Sequence, residues 1–324
     1  MKNIVVMGEC MIEFSQSVSS TDFRQSFAGD VFNTGIYIKR CMAEPIAVKF
    51  LSAIGRDAMS DQLLSLMAEE QISTEILYRT EDASMGLYLI NLDDKGERSF
   101  TYWRNNPAAK QLITLMEKNH GLEQLNNAST FFFSGISLAI LSESDRLILW
   151  KYLYQLKQQG TTIIFDPNYR ASLWPSTEVT KAAYKMAFKL SHMALPGVDD
   201  FIDLYGVDDV EQVADIIEGY GVEEIVIKNG NQNMLISLRG TRSYLPVSPI
   251  KTVVDTTSAG DAFNGGYVSA RLTGNSVNDS AQYAAQVAAC VIQHKGAIVP
   301  VDLFEQKIQK LSAATVTHEV ITNG

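Results

Sequence analysis

The stretch Val253-Val254-Asp255-Thr256-Thr257-Ser258-Ala259-Gly260-Asp261-Ala262-Phe263 is the part of the chain best suited to chemistry. It follows a β-prone run and opens a helical pattern from Ala262 to Leu272. The small residues Ser258, Ala259 and Gly260 at a helix start let backbone N–H groups point into open space, and the helix macrodipole adds positive potential there. Such a cradle binds anions. Asp261 falls in the first turn beside it, where a carboxylate can act on a hydroxyl. A capped helix with an acidic first turn has the same appearance, so this stretch alone leaves both readings open.

Other catalytic signatures are missing. The chain has no G-x-x-x-x-G-K-S/T loop, no G-x-G-x-x-G after a strand, no H-R-D or D-F-G set and no H-E-x-x-H. His120, His192, His294 and His318 do not cluster, and Cys10, Cys41 and Cys290 have no metal or disulfide spacing. Buried reduced thiols in a cytoplasmic protein are the expectation. Lys+Arg is 27 against 37 Asp+Glu, a net charge of −10. That balance speaks against nucleic acid or an anionic membrane as partner, both of which need a basic face. It leaves room for an anionic small substrate met by a few local arginines. The first apolar run stops at Glu9, too soon for a signal peptide, and the uncharged stretch from Gln124 to Ser142 carries too many polar residues to span a membrane.

The elements that must position these residues follow from periodicity. Apolar runs at Ile4–Met7, Ala47–Leu51, Thr130–Phe133, Thr162–Phe165, Met193–Leu195 and Glu224–Ile227 read as strands buried on both faces. Amphipathic stretches from Asp57 to Glu70, Ser142 to Gln159 and Val210 to Gly219 read as helices between them. The alternation predicts an α/β fold with a doubly wound, mostly parallel sheet flanked by helices. Turn residues crowd the run ends at Gly8-Glu9, Gly55-Arg56-Asp57, Ser134-Gly135, Asp166-Pro167-Asn168, Pro196-Gly197 and Lys228-Asn229-Gly230. Each is ordinary turn chemistry, but together they favour a site on that edge. Two regions, Glu9 to Phe27 and Met85 to Arg104, read instead as antiparallel strands, the second with a turn at Asp93-Asp94-Lys95-Gly96. We expect residues 1–8, 28–84 and 105–324 to form the α/β domain, and 9–27 and 85–104 a small antiparallel β-sheet covering a ligand or a partner.

DTTSAGDAF resembles the D-T-x-G-A-G-D signature of the ribokinase/PfkB family of sugar kinases. The resemblance spans nearly the whole chain. Phe27-Ala28-Gly29-Asp30-Val31-Phe32-Asn33 is similar to the family's G-G-x-x-x-N sugar motif, and Asp166-Pro167-Asn168-Tyr169-Arg170 to its D-x-N-x-R segment. Lys228-Asn229-Gly230 is similar to the K-x-G strand end, and Gly296-Ala297 through Pro300 to the closing G-A-x-x-P. MGECMIEFS, GLYLI, GERSFTYWRN, SGISLAIL and FDPNYRASLW place it nearest the sub-family acting on 2-keto-3-deoxygluconate. Two departures stand out. Ser258 replaces the usual glycine, and the N-x-x-E motif is represented by Gly197-Val198-Asp199-Asp200.

The resemblance implies a ribokinase-like fold whose small sheet is a lid. It also implies transfer of the γ-phosphoryl of ATP, with Mg2+, to the 6-hydroxyl of 2-keto-3-deoxygluconate. Asp261 is then the catalytic base. The helix N-terminus should keep it ionised, with a pKa at or below the ordinary value of about 3.9. Ser258, with the amides of Ala259, Gly260 and Asp261, forms the anion hole. Asn168, Lys228, Asn229 and Gly230 serve the nucleotide. Gly29, Asp30 and Asn33 hold sugar hydroxyls. Tyr88 and Tyr102 offer an apolar face with a hydroxyl, and Arg104 and Arg170 offer guanidinium groups to the substrate carboxylate. Asp200 is a candidate for magnesium through water, and Asp255 and Thr257 for a monovalent cation. A homodimer through lid strands is expected. Another sugar kinase of this fold, such as a fructokinase or a 2-keto-3-deoxygalactonate kinase, and a catalytically silent sugar-binding protein remain the alternatives.

Overall fold

Short apolar runs without polar alternation can be buried on both faces, and every such run singled out above becomes a strand of one sheet. The computed structural model describes residues 3–16, 22–42, 46–92, 98–250 and 252–308. The expected turn at Asp93-Asp94-Lys95-Gly96, and His318, lie outside them. In chain order the strands are β1 (Asn3–Met7), β2 (Met11–Gln16), β3 (Phe23–Ala28), β4 (Ala47–Ile54), β5 (Ile72–Ser73), β6 (Leu77–Arg79) and β7 (Leu87–Leu92). They continue with β8 (Arg98–Trp103), β9 (Thr130–Ser134), β10 (Thr162–Asp166), β11 (Met193–Ala194), β12 (Glu224–Ile227), β13 (Met234–Leu238) and β14 (Thr241–Leu245).

The main sheet runs β14-β13-β12-β11-β10-β9-β1-β4-β5, with β6 also on β4. From β12 to β5 its pairs are parallel. Only β13 and β14 are antiparallel, a hairpin edge that no sequence signal had marked. Alternate residues of each strand feed opposite cores. Val5, Phe131, Phe133 and Phe165 pack with the helices Glu143–Gln158, Thr177–Leu190 and Val210–Glu218. Val6, Phe132 and Ile164 pack with the helices Asp30–Cys41, Ala58–Glu69, Ala259–Leu272 and Val277–Val291. The helices begin where Asp57, Ser142, Ser176 and Ser276 accept a first-turn N–H.

Strand order reverses at β1, which lies between β4 and β9. A crevice forms where connections leave in opposite directions beyond the carboxyl ends of such strands. Gly8 and Glu9 follow β1 there, and Asp166 ends β10 nearby. Among the described residues, no helix is long and apolar enough to cross a membrane.

The small sheet has the order β3-β2-β7-β8. Each hairpin is antiparallel, and the two are joined by a parallel β2–β7 pair. The reason is topological. β2 follows β1 and β7 follows β6, and both preceding strands run parallel to β4. The chain therefore leaves the main sheet twice at the same edge and in the same direction.

Two helices are brought together with little room to spare. A Cβ on Gly265 would lie 2.5 Å from the Tyr37 Cβ, and one on Gly266 would lie 3.0 Å from Val287. The missing side chains let Ala259–Leu272 sit tightly between Asp30–Cys41 and Val277–Val291. That packing sets the first turns of Asp30–Cys41 and Ala259–Leu272 side by side.

Candidate active site

Asp261 occupies the first turn of helix Ala259–Leu272, as the spacing predicts. Its Oδ2 accepts from Asn33 Nδ2 at 2.9 Å, and its carbonyl accepts from the Thr34 hydroxyl at 3.3 Å. Asn33 Oδ1 in turn accepts from the Gly29 N–H at 3.4 Å. Gly29, Asn33 and Asp261 are thus one hydrogen-bonded chain across two helix N-termini. Gly29 is there for closeness: a Cβ would stand 2.1 Å from the Glu9 carbonyl oxygen. Gly29→Ala should therefore cost about 3 kcal/mol, read as a lower urea midpoint, because backbone rather than a flexible side chain must move.

The electrostatics of Asp261 differ from the sequence expectation. Burial of the carboxyl, with the nearby Asp30 charge next in size, pushes its pKa up to about 7, while Asn33 and Ser258 favour the ionised form. The helix dipole does not hold it low, because a desolvated carboxylate beside a second carboxylate loses more than one helix end returns. A base titrating near neutrality suits proton transfer from an alcohol better than one titrating near 4.

The helix start expected to form the cradle departs from the family pattern at one position. Ser258 takes φ +64°, the left-handed region, which explains why glycine is usual there. The Ala259 N–H donates to the Thr256 carbonyl at 3.2 Å, so it is not the open donor expected of it. Gly260 and Asp261 belong to the first turn, whose N–H groups have no partner within a helix. Beside them a Cβ on Gly260 would lie 3.8 Å from Lys228 Nζ. Lys228 follows β12, and the turn after it needs Gly230 at φ +57°. Asn229 donates to Gln232 at 3.4 Å in that turn.

The residues of the small sheet stand apart from Arg170. Arg104, just past β8, pairs through Nη2 with Glu9, just past β1, and lies 5.9 Å from the centre of the Tyr102 ring. Glu9 is almost wholly buried, and that burial raises its pKa against the opposing effect of Arg104. Tyr102 is 51% exposed and faces Tyr88 across the hairpin at 5.7 Å between rings. The Tyr88 hydroxyl, expected to serve substrate, instead donates to Glu13, which also accepts from Ser26 at 2.8 Å. A buried hydroxyl finds the nearest acceptor, so Tyr88 offers its ring. Arg170 is exposed, with Nη1 on the Tyr169 carbonyl at 2.8 Å. Among the described residues it shares no hydrogen-bond partner with Arg104.

The loops at the crevice rim are held by carboxylates. Asn168, at φ +32°, donates to Asp30 Oδ2 at 2.9 Å, which ties it to the sugar motif. Asp200 accepts from the N–H groups of Tyr169 at 2.7 Å and Gly197 at 3.0 Å. Burial, then the Asp166 charge, pushes its pKa up to about 6. Asp255 accepts from the N–H groups of Thr257 and Gly296, both at 2.9 Å, joining the cradle to the loop after Val277–Val291. Among the described residues no three His, Cys, Asp or Glu side chains are grouped to hold a metal ion. The carboxylate oxygens at this rim, those of Asp30 and Asp200 among them, are of the kind magnesium takes.

Sequence reasoning passed over three residues that the structure puts at the centre. Asp166 and Asn264 meet Lys228 at the cradle, and Glu9 meets Arg104. Asp166 opens the segment Asp166–Arg170, whereas Asn264 stands just past Phe263, the last residue of DTTSAGDAF; it is one helical turn beyond Asp261, a spacing that places both on one face. Glu9 was a lone acid ending an apolar strand.

Comparison with known proteins agrees with this geometry. The model of the pfkB family of carbohydrate kinases matches residues 1–303. The chain is 39% identical over 306 residues to 2-dehydro-3-deoxygluconokinase of Dickeya dadantii, covering 93% of this chain and 98% of that protein. It is 39% identical over 305 residues to the protein of that name from Escherichia coli K12, covering 92% and 97%. The crystal structure of 2-dehydro-3-deoxygluconokinase from Thermotoga maritima superposes with a TM-score of 0.80 at 18% identity, over 95% of this chain and 100% of that one, which establishes a shared fold. A family model matched over residues 1–303, together with relatives 39% identical over nearly the whole chain, makes the family assignment plain: the protein belongs to the pfkB family of carbohydrate kinases.

Proposed function

We propose that the protein transfers the γ-phosphoryl group of ATP to the 6-hydroxyl of 2-keto-3-deoxygluconate, the sugar acid also named 2-dehydro-3-deoxygluconate. The observation that supports this reading is the hydrogen-bonded chain Gly29–Asn33–Asp261, whose buried Asp261 carboxyl has its pKa pushed up to about 7. The names of relatives 39% identical over nearly full length support the choice of sugar acid.

Each group then has a task. Gly29, Asp30 and Asn33 bind the sugar, and Asp261 orients the 6-hydroxyl and takes its proton. Because the transferring phosphoryl passes through a loose transition state, positioning and charge stabilisation carry most of the work. The N–H groups of Gly260 and Asp261, with Lys228, meet the phosphate charge. Asn229 and Gly230 shape the nucleotide side, and Asn168 bridges toward the sugar. Magnesium would sit on the phosphates, reached by Asp200 through water, and would neutralise their charge. Arg104 and Arg170 take the carboxylate, while Tyr88 and Tyr102 pack on the sugar-acid chain. Residues 9–27 and 85–104 act as the lid that excludes water and so prevents wasteful ATP hydrolysis.

Phe23, Phe100, Tyr102 and Trp103 expose 47%, 46%, 51% and 56% of their surfaces on this lid, which supports a homodimer formed through it. Sedimentation equilibrium on the full chain tests that, with a monomer at micromolar concentration as the contrary result. Asp255 and Thr257 are the candidates for a monovalent cation, tested by turnover in potassium against sodium at equal ionic strength. The cytoplasm is the compartment that supplies ATP and keeps Cys10, Cys41 and Cys290 as thiols.

The deciding experiment is ADP release with 2-keto-3-deoxygluconate beside fructose, ribose, adenosine and gluconate. Selective turnover of the keto-acid supports the whole reading. Turnover of a neutral sugar instead would retain Asp261 and discard the arginine roles. No turnover with any of them would favour a sugar-binding protein without catalysis.

A further inference from the structure

Lysine is a flexible cation, and holding its ammonium at one point costs about 2 kcal/mol of side-chain freedom. In this protein that freedom is removed by two buried neighbours. Lys228 Nζ donates to Asn264 Oδ1 at 3.0 Å and lies 3.5 Å from Asp166 Oδ1. Asn264 Nδ2 donates to Asp166 Oδ2 at 2.8 Å, which closes a three-membered ring of contacts. Only one amide orientation satisfies it, so Asn264 Oδ1 must face the ammonium. Asn264 is fully buried, and Asp166 is 4% exposed. Asn264 also belongs to the same helix as Asp261, one turn further on.

We propose that Asp166 and Asn264 are positioning residues that fix the Lys228 ammonium beside the first turn of helix Ala259–Leu272, in register with Asp261. This rests on the reading that the cradle takes the nucleotide phosphates. Two of the three ammonium donors meet protein acceptors, which leaves the third for a phosphate oxygen at Gly260. Because one rigid helix carries both Asp261 and Asn264, the base and the phosphate-binding cation keep a constant separation, as in-line transfer requires. Asp166 adds the counter-charge that makes a largely buried ammonium tolerable.

The test is a double-mutant cycle on the full chain with Asn264→Leu and Lys228→Met. It is read by kcat, by the KM of the keto-acid and by calorimetric binding of tripolyphosphate. Asn264→Leu, which keeps the branched heavy-atom shape and the neutral charge, should weaken tripolyphosphate roughly tenfold and lower kcat at least tenfold, the loss of about one charge-assisted contact. The keto-acid KM should move less than about twofold. In the Lys228→Met background Asn264→Leu should add less than about twofold to either loss, because its effect runs through the lysine. Full multiplication of the two losses, or an unchanged tripolyphosphate affinity in Asn264→Leu, would overturn the proposal. If Asn264→Leu does not melt cooperatively, Asp166→Asn takes its place in the cycle, with the same non-additivity expected. A wild-type protein that fails to bind tripolyphosphate would instead refute the phosphate reading of the cradle, a result distinct from an additive cycle.

Discussion

Asp261→Asn should bind nucleotide and sugar acid with near-normal affinity and lose at least ~100-fold in kcat, the lower end of what a general acid or base contributes. The asparagine keeps the shape and can still accept from Asn33, so the loss isolates the proton-accepting role. Near-wild-type turnover in this variant would remove Asp261 from catalysis. The pH dependence gives an independent check. With the carboxyl titrating near 7, wild-type kcat/KM should fall as pH drops below about 7, and the residual activity of Asp261→Asn should lack that limb.

Stability should change in the opposite sense. A carboxyl whose pKa is higher folded than unfolded stays protonated in both states below about pH 4. As pH rises toward 7 the unfolded chain ionises first, and wild-type stability falls relative to the Asn variant. The contribution of the buried acid form is lost through pH 7 and the difference is constant above it. Asp261→Asn should therefore melt higher than wild type at pH 8 and at the same temperature near pH 4. A variant less stable than wild type at pH 8 would show that the carboxylate is not under the electrostatic load that Asp30 and burial impose on it.

Arg104→Ala should raise KM for the keto-acid roughly 10–100-fold, the loss expected for hydrogen bonds to a charged group. Neutral sugars, which carry no carboxylate, should change by no more than about threefold. Arg104 commits Nη2 to Glu9, and the rest of its guanidinium fork is available to a ligand. The pairing adds a complication with its own control. Removing the arginine strands a buried Glu9, a change that costs about 3–5 kcal/mol when a buried ion pair loses one member. The double variant Glu9→Gln, Arg104→Met removes both charges and should recover stability without recovering keto-acid affinity. An equal rise in KM for keto-acid and neutral sugar in Arg104→Ala would break the assignment of this residue to the carboxylate.

Asp261 shows how far a motif carries and where it stops. Its place in the first turn of a helix, beside small residues, could be read from DTTSAGDAF alone, because small residues and a helix start are local facts. Its pKa could not. That depends on Asp30, which is 231 residues away in sequence, and on burial that exists only once Gly265 has packed against Tyr37. Tyr88 repeats the lesson: the hairpin was legible, but the acceptor for its hydroxyl, Glu13, comes from the neighbouring hairpin. Lys228 was visible as a strand-end residue, and its two anchors became visible only when β10, β12 and the helix Ala259–Leu272 met.

The sequence by itself determined not the β13–β14 edge but six strands of the main sheet, several of the helices between them, the hairpins of the small sheet and the family signature. All of these follow from periodicity and from short-range turn chemistry. Only the tertiary structure decided which side chains face one another, and with it the near-neutral titration of Asp261, the parallel joint of the small sheet, the Glu9–Arg104 pair and the ring around Lys228. Desolvation and charge–charge interaction act through space, and the chain sets those distances only when distant segments have packed.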